Sequence, residues 1–212
     1  MLFLIVSLLV ISGTILFFLG VNTLQRRDTP AIMPFIAILF SASLWSFGFA
    51  VEVISTSLEN KIFWANIQFI GINILSFSWF LMALYYTGQP RQTIRNLYTL
   101  AIMPLLTILV IWTNPYDLFR GTPSLEVITQ TFSVLNSEYG IYFYAIYVPF
   151  NWLLNVGSLF LLFRFWIKSP AVYRRQRMIL ALSFLLPFSV DILYIAGISP
   201  IPNFNFTLVS PK

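Results

Sequence analysis

Six runs of mainly apolar residues, each about 20 residues long and bounded by charge, proline or glycine, constrain this chain more than any other feature. A run of that length matches the hydrocarbon thickness of a bilayer, where a single segment is stable only as a helix that satisfies its own backbone hydrogen bonds. The fourth run is short and carries Pro104, which predicts a kink or a tilt. The predicted spans are Met1–Val21, Met33–Ile54, Ile62–Tyr86, Leu97–Trp112, Ile141–Trp166 and Met178–Ile198. The sequence therefore predicts an all-α, polytopic membrane helix bundle that forms one domain over residues 1–212.

The composition agrees with lipid as the solvent and excludes several kinds of chemistry. Hydrophobic residues make up 58% of the chain and charged residues 9%, against about 25% charged residues in a soluble domain. The absence of His and Cys excludes disulfides, imidazole or thiolate catalysis, metal or haem ligation by these residues and a phosphorylatable histidine. We therefore expect no catalytic residues, no metal and no cofactor, and we do not expect an enzyme.

The basic residues predict the orientation of the bundle. The net charge of +5 arises from short basic clusters between the spans, which is typical of topology signals and does not predict a nucleic-acid partner. With the N-terminus outside, nine Lys and Arg residues fall in inner loops and three fall outside. The inner set is Arg26, Arg27, Arg91, Arg95, Arg164, Lys168, Arg174, Arg175 and Arg177, and the outer set is Lys61, Arg120 and Lys212. We expect a multi-pass protein of the plasma membrane with its N-terminus outside and with the lipid bilayer as its first partner.

The connector Thr113–Gly140 is the longest segment between predicted spans. It contains a β-branched stretch, Glu126–Val134, in which polar and apolar residues partly alternate. Turn-forming residues flank the stretch on both sides. This pattern predicts a short external β-hairpin between spans four and five, over the outer mouth of the bundle.

Several short phrases occur in a characteristic order along the chain. They are Phe63–Gly71, Trp79–Phe80, Tyr85–Gly88, Pro104 with Thr107, Trp112–Asn114, Tyr139–Gly140, Arg174–Gln176 and Pro187. In their order and spacing, over essentially the whole chain, the sequence resembles the N-terminal seven-transmembrane sensor region of bacterial and archaeal histidine kinases. The resemblance implies a signal-sensing module of a two-component system that passes its signal to a cytoplasmic kinase, and it is compatible with a homodimer. Because this sequence stops after the sixth predicted span, we expect it to lack the family's seventh span and output domain.

Two carboxylates lie within predicted spans, where a charge is costly and therefore indicates a functional group. Asp191 lies inside the sixth span with Tyr194 on the same helix face, and Glu52 lies within a turn of the outer end of the second span. One interpretation is a binding or protonation group in an outer cavity. The other is a carboxylate that hydrogen-bonds to a neighbouring helix or, for Glu52, simply reaches water.

Amides and deep aromatic residues complete the set of ligand-binding candidates. Amides within spans commonly hydrogen-bond across helices, so structural packing is the default interpretation and a polar floor for an aromatic pocket is the alternative. Deep indole N–H groups need a partner and favour a pocket. The candidates of this kind are Asn66 and Asn73 on one face of the third span, Asn151 and Asn155 on the fifth, and Trp45 and Trp79.

Two functions from different classes follow from these features. The first is a membrane sensor that perceives a small ligand or the state of the membrane through an outer polar and aromatic pocket. The alternative is a transporter or channel-like membrane subunit, which Asp191 and the two asparagine pairs favour. The absence of an internal repeat and of two matched broken helices argues against transport. An intramembrane enzyme has little support, because the spans contain two carboxylates far apart in sequence and no Ser–Lys pattern.

Overall fold

A computed structural model of the protein describes residues 2–25, 29–89, 91–129 and 132–168. Five helical segments in this part of the chain are long and apolar enough to cross a membrane, and they correspond to the first five predicted spans. The sixth predicted span, Met178–Ile198, lies outside the described residues. The helices are α1 (Leu2–Leu24), α2 (Ile32–Ile54), α3 (Leu58–Tyr86), α4 (Arg91–Leu97), α5 (Ile102–Thr113) and α6 (Val148–Lys168).

The fourth span differs from its prediction in length and in the place of its irregularity. It begins with α4 and passes through a 3-10 turn at Tyr98–Ala101 before α5. The helical segment therefore begins at Arg91, six residues before the predicted start at Leu97. Pro104 is the third residue of α5 and the irregular turn precedes it. Proline is tolerated in a first helical turn because the N–H that it lacks has no intrahelical partner there. The irregular turn therefore precedes Pro104, and α5 continues through the proline.

Helices α2 and α3 form an antiparallel pair joined by a three-residue connection, Ser55 to Ser57. The Ser57 hydroxyl caps α3 by accepting a hydrogen bond from the Asn60 amide at 3.3 Å. The two backbones approach closely at Gly71, where an added Cβ would lie 2.8 Å from the Ser41 carbonyl oxygen. Small residues at such a crossing let membrane helices pack tightly without a hydrophobic driving force.

The connector after α5 contains two short antiparallel strands, β1 (Ser124–Thr129) and β2 (Phe132–Asn136), in the segment for which the sequence predicts a hairpin. The pairing extends beyond the strands through a bridge between Arg120 and Tyr139. Burial alternates along the chain after β2, because Ser137 and Tyr139 are buried whereas Glu138 is exposed. One face of this β1–β2 sheet therefore packs on the helices, at the end where α2 ends and α3 begins. That this end lies outside the cell stays a prediction.

The lateral surface of the bundle is apolar. Large hydrophobic side chains on three of the long helices are mostly exposed, among them Phe3 on α1, Leu105 on α5 and Leu153 on α6. In water such a surface would be unstable, but in a bilayer it faces lipid tails of similar polarity. The exposed surface therefore agrees with a protein that crosses a membrane several times.

Candidate functional site

A polar cluster lies at the sheet end of the bundle, where α2 ends and α3 begins. The Gln68 side-chain amide donates a hydrogen bond to a carboxylate oxygen of Glu52. The Lys61 ammonium donates to the backbone carbonyl of Glu52 at 2.8 Å. Lys61 is only 1% exposed, and its charge lies against the last turn of α2, where the helix dipole favours a cation. Glu52 is thus held by two residues from the facing helix.

Arg120 joins this cluster from the loop between α5 and β1. Its side chain is 5% exposed, and its Cζ atom lies 6.0 Å from the centre of the Phe69 ring. Its Nε and Nη1 atoms are buried and have no hydrogen-bond partner in the part of the chain that the structure describes. Burial lowers the pKa of the Arg120 guanidinium, and nearby Tyr139 and Glu52 oppose that lowering. Because arginine keeps its proton in proteins, the site contains a buried cation.

Asn114 positions the loop that carries Arg120. It ends α5 in the left-handed conformation, with φ of 37°, which asparagine tolerates better than most residues. Its Oδ1 atom accepts hydrogen bonds from the amides of Phe119 at 3.1 Å and of Arg120 at 3.0 Å, and its Nδ2 atom donates to the Arg120 carbonyl at 2.6 Å. One side chain therefore fixes the backbone on which the buried guanidinium stands.

An aromatic cluster adjoins the polar one. Phe119 is 1% exposed and lies at its centre, with ring centroids 4.9 Å from Phe69 on α3 and 5.6 Å from Tyr147. Phe143 stacks on Tyr139 at 3.7 Å between ring centroids. Phe143 and Tyr147 are the first and last residues of a π-helical turn that precedes α6. The loop, α3 and the start of the fifth span thus meet in one group of rings.

Two amides form a polar layer one turn below these rings. Asn73 donates to the Phe69 carbonyl at 2.7 Å, and Asn151 donates to the Tyr147 carbonyl at 2.9 Å. Both side chains are buried. The default expectation was that these amides bond across helices, but each bonds to the carbonyl four residues earlier in its own helix. An amide can reach that carbonyl without any partner helix, which is why the local bond competes so well.

The other sequence candidates take different positions. Asn66 is buried, Asn155 and Trp79 are half-buried, and Trp45 is 45% exposed within the described part of the chain. Asp191 and Tyr194 lie outside the described residues. The structure therefore brings Glu52 into a charged cluster and places Asn73 and Asn151 beneath the neighbouring rings. The use of any of these residues in ligand binding stays a prediction.

Three residues of the polar cluster, Lys61, Gln68 and Arg120, were not among the sequence candidates, and neither were Asn114 and the rings of the aromatic cluster. Lys61 and Arg120 were interpreted only as topology signals of outer loops. One usable signal was available, because Glu52 and Lys61 lie at similar distances on either side of a short helix connection and so meet across the antiparallel pair. Arg120 carried no such signal, since its position depends on the fold of the long connector.

The described residues contain no group of three or more carboxylate, His or Cys side chains that could hold a metal ion. The chemistry that the site offers is a buried cation, hydrogen-bond donors and aromatic faces. Such an arrangement can recognise a ligand or respond to a change in packing.

Comparison with known protein families gives a match over nearly the whole chain. A family model described as the N-terminal 7TM region of histidine kinase matches residues 8–210. The matched region is the N-terminal membrane region of such kinases and does not include a kinase catalytic domain. Comparisons with curated proteins and with solved structures found no match.

Proposed function

The chain belongs to the family of N-terminal seven-transmembrane regions of histidine kinases, and on that basis we propose that it is the membrane sensor module of a histidine-kinase-type receptor. The signal is a small ligand or a change in the state of the bilayer. It is perceived at the sheet end of the bundle, through the polar cluster of Glu52, Lys61, Gln68 and Arg120 and the aromatic cluster around Phe119. The receptor's output is a cytoplasmic kinase.

The buried guanidinium of Arg120 is the observation that carries this proposal. A structural core normally satisfies its buried polar groups, and an exception calls for an explanation. Here two guanidinium nitrogens of Arg120 have no hydrogen-bond partner among the described residues. Arg120 stands on a loop next to the Glu52 carboxylate and the aromatic cluster, at the end of the bundle that the basic residues predict to be outside. Binding sites are commonly built in this way, with a few polar groups among aromatic side chains.

The aromatic cluster supplies a route from this end of the bundle to the other. Phe119 lies between a ring on α3 and a ring at the start of the fifth span, so a displacement of its loop changes the contact between two helices that both run to the opposite end. A return of the π-helical turn Phe143–Tyr147 to an α-helix would shift the register of the residues before it, and this shifted register is the second arrangement that the proposal requires. The signal then travels as a choice between two packings of α3 and α6.

The test uses distance measurements between spin labels at the end opposite the sheet. The chain has no natural Cys, so Gln89→Cys, just after the end of α3, and Ile167→Cys, near the end of α6, can be labelled specifically. In nanodiscs of different acyl-chain lengths we expect two distance populations whose ratio changes. Gln68→Leu, which removes the hydrogen bond to Glu52, is expected to shift that ratio, whereas Asn60→Leu on the exposed surface of the same helix is the matched control.

A single distance population, unchanged by lipid and by Gln68→Leu, would contradict the sensor proposal. The same protein in liposomes tests the transporter alternative. Solute flux that depends on the buried amides Asn73 and Asn151 would favour transport over sensing.

A further inference from the structure

Three buried hydrogen-bonding groups at the sheet end have no partner in the part of the chain that the structure describes. They are Nε and Nη1 of Arg120 and the Ser137 hydroxyl. Arg120 is 5% exposed and Ser137 is 3% exposed, so water from the surface reaches neither side chain freely. Buried donors without acceptors are rare in folded proteins, because the lost hydration is not replaced.

These groups lie on one face of the sheet. Arg120 pairs with Tyr139 across the antiparallel bridge, and Ser137 is two residues before Tyr139, so all three side chains point to the helix side. Diagonal neighbours of this kind are typically roughly 7–8 Å apart, and long side chains bridge that distance. The exposed Glu138 points to the opposite face. Arg120 and Ser137 therefore present their donors on the same buried face.

Among the described residues, the charged side chains of this cluster have an excess of one positive charge. Glu52 supplies one carboxylate, and Lys61 and Arg120 supply two cations, all within one cluster. The Lys61 ammonium and the Glu52 carboxylate are already engaged by α2 and by Gln68. The guanidinium is the group whose donors have no acceptor among the described residues, and a single negative charge would balance the cluster.

We propose that Arg120 and Ser137 form the recognition site for a small organic carboxylate, which is the ligand class that this sensor perceives. This inference rests on the proposed sensor function and specifies its ligand. A carboxylate brings one negative charge and acceptor oxygens for both side chains, as Arg–carboxylate pairs commonly do. A phosphate dianion would leave a negative excess beside Glu52. The rings of Phe69 and Phe119 next to the guanidinium suit a carboxylate with an apolar body.

The test is thermal unfolding of the purified chain in detergent, titrated with acetate, phenylacetate and inorganic phosphate against chloride at equal ionic strength. The two carboxylates are expected to raise the Tm in a saturable manner, with phenylacetate acting at lower concentration, because a ligand that binds only the folded state stabilises it. Chloride is expected to have no saturable effect. A larger response to phosphate than to either carboxylate would overturn the assignment of ligand class.

Two variants separate binding from folding. Ser137→Ala removes a buried hydroxyl that has no partner in the described ranges of the chain, so it is expected to fold at least as stably as the wild type yet bind carboxylates roughly tenfold more weakly. Arg120→Gln is expected to lose the response altogether. Glu138→Gln, on the exposed face of the same sheet segment, is the matched control and should respond as the wild type does.

Three outcomes would overturn the proposal: no saturable response in the wild type, an equal response in Arg120→Gln, or unchanged affinity in Ser137→Ala.

A further variant, Asp191→Asn, tests whether the guanidinium pairs with a carboxylate of the chain itself. Carboxylate binding that appears only in Asp191→Asn would assign the guanidinium to Asp191 and overturn the ligand site. Binding to the wild type without any change in the spin-label distances would support the site and contradict the sensor function, so the two failures are distinguishable.

Discussion

Replacing Asn114 tests whether one side chain holds the loop that presents Arg120. Asn114→Ala removes three hydrogen bonds to backbone groups of Phe119 and Arg120. Each such bond contributes about 1 kcal/mol net, which gives a loss of about 3 kcal/mol. Alanine also adopts the left-handed conformation less readily than asparagine, at a cost of about 1 kcal/mol. We therefore expect Asn114→Ala to lower the free energy of unfolding by about 3–4 kcal/mol.

Two matched replacements at the same position separate these contributions. Asn114→Asp keeps the oxygen that accepts from both amides but loses the donor to the Arg120 carbonyl and to the Asp117 carboxylate, and it places a second carboxylate beside Asp117, so it should cost about 1–2 kcal/mol. Asn114→Gly loses all three bonds but suits a φ of 37°, so it should cost about 3 kcal/mol without added strain.

Reversible unfolding by SDS in mixed micelles, followed by circular dichroism, measures the free energy of unfolding of each variant. Amide hydrogen exchange at Phe119 and Arg120 reports the loop directly and should be faster in the alanine and glycine variants. The reasoning would be refuted if the alanine, glycine and aspartate variants all unfolded within about 0.5 kcal/mol of the wild type, the range of an ordinary surface substitution.

Three further expectations follow from the same structure. Gly140→Ala should abolish monodisperse protein in size-exclusion chromatography, because its Cβ would lie 2.2 Å from the carbonyl oxygens of Asp117 and Leu118, whereas Gly121→Ala, with 3.3 Å to its nearest neighbour, should remain monodisperse. Lys61→Met keeps the apolar stem but loses the 2.8 Å bond to α2, so denaturant unfolding should show a loss of about 2 kcal/mol, and an unchanged stability would show that the ammonium contributes nothing. A single Cys at Glu138 should react with an impermeant maleimide on intact cells and one at Arg27 should not, and the opposite pattern would invert the predicted orientation.

The sequence alone predicted the five long apolar helices that the structure describes, and it singled out Glu52, one residue of the candidate site. A span is recognised by apolar residues that are adjacent in the chain, and the need to satisfy the backbone in lipid leaves the helix as the only local solution. Glu52 was identified for a similar reason, since a carboxylate within an apolar run is conspicuous without any knowledge of its neighbours. The two antiparallel strands of the long connector lie in its β-branched stretch, while the external hairpin stays a prediction.

Only the tertiary structure decided which polar groups meet. Arg120 is 68 residues from Glu52 in the chain, and it reaches the cluster because Asn114 folds the loop back and the sheet covers the end of α2. The asparagines of α3 and α6 are visible in the sequence, but whether an amide bonds to its own helix or to another depends on the neighbours that packing supplies. The sequence also did not indicate the π-helical turn before α6, whose rings contact Phe69 on α3 and Phe119 on the loop. Hydropathy depends on residues that are adjacent along the chain, whereas a binding site depends on residues that are adjacent in space. Residues such as Glu52 and Arg120 become spatial neighbours only when loops of tens of residues close.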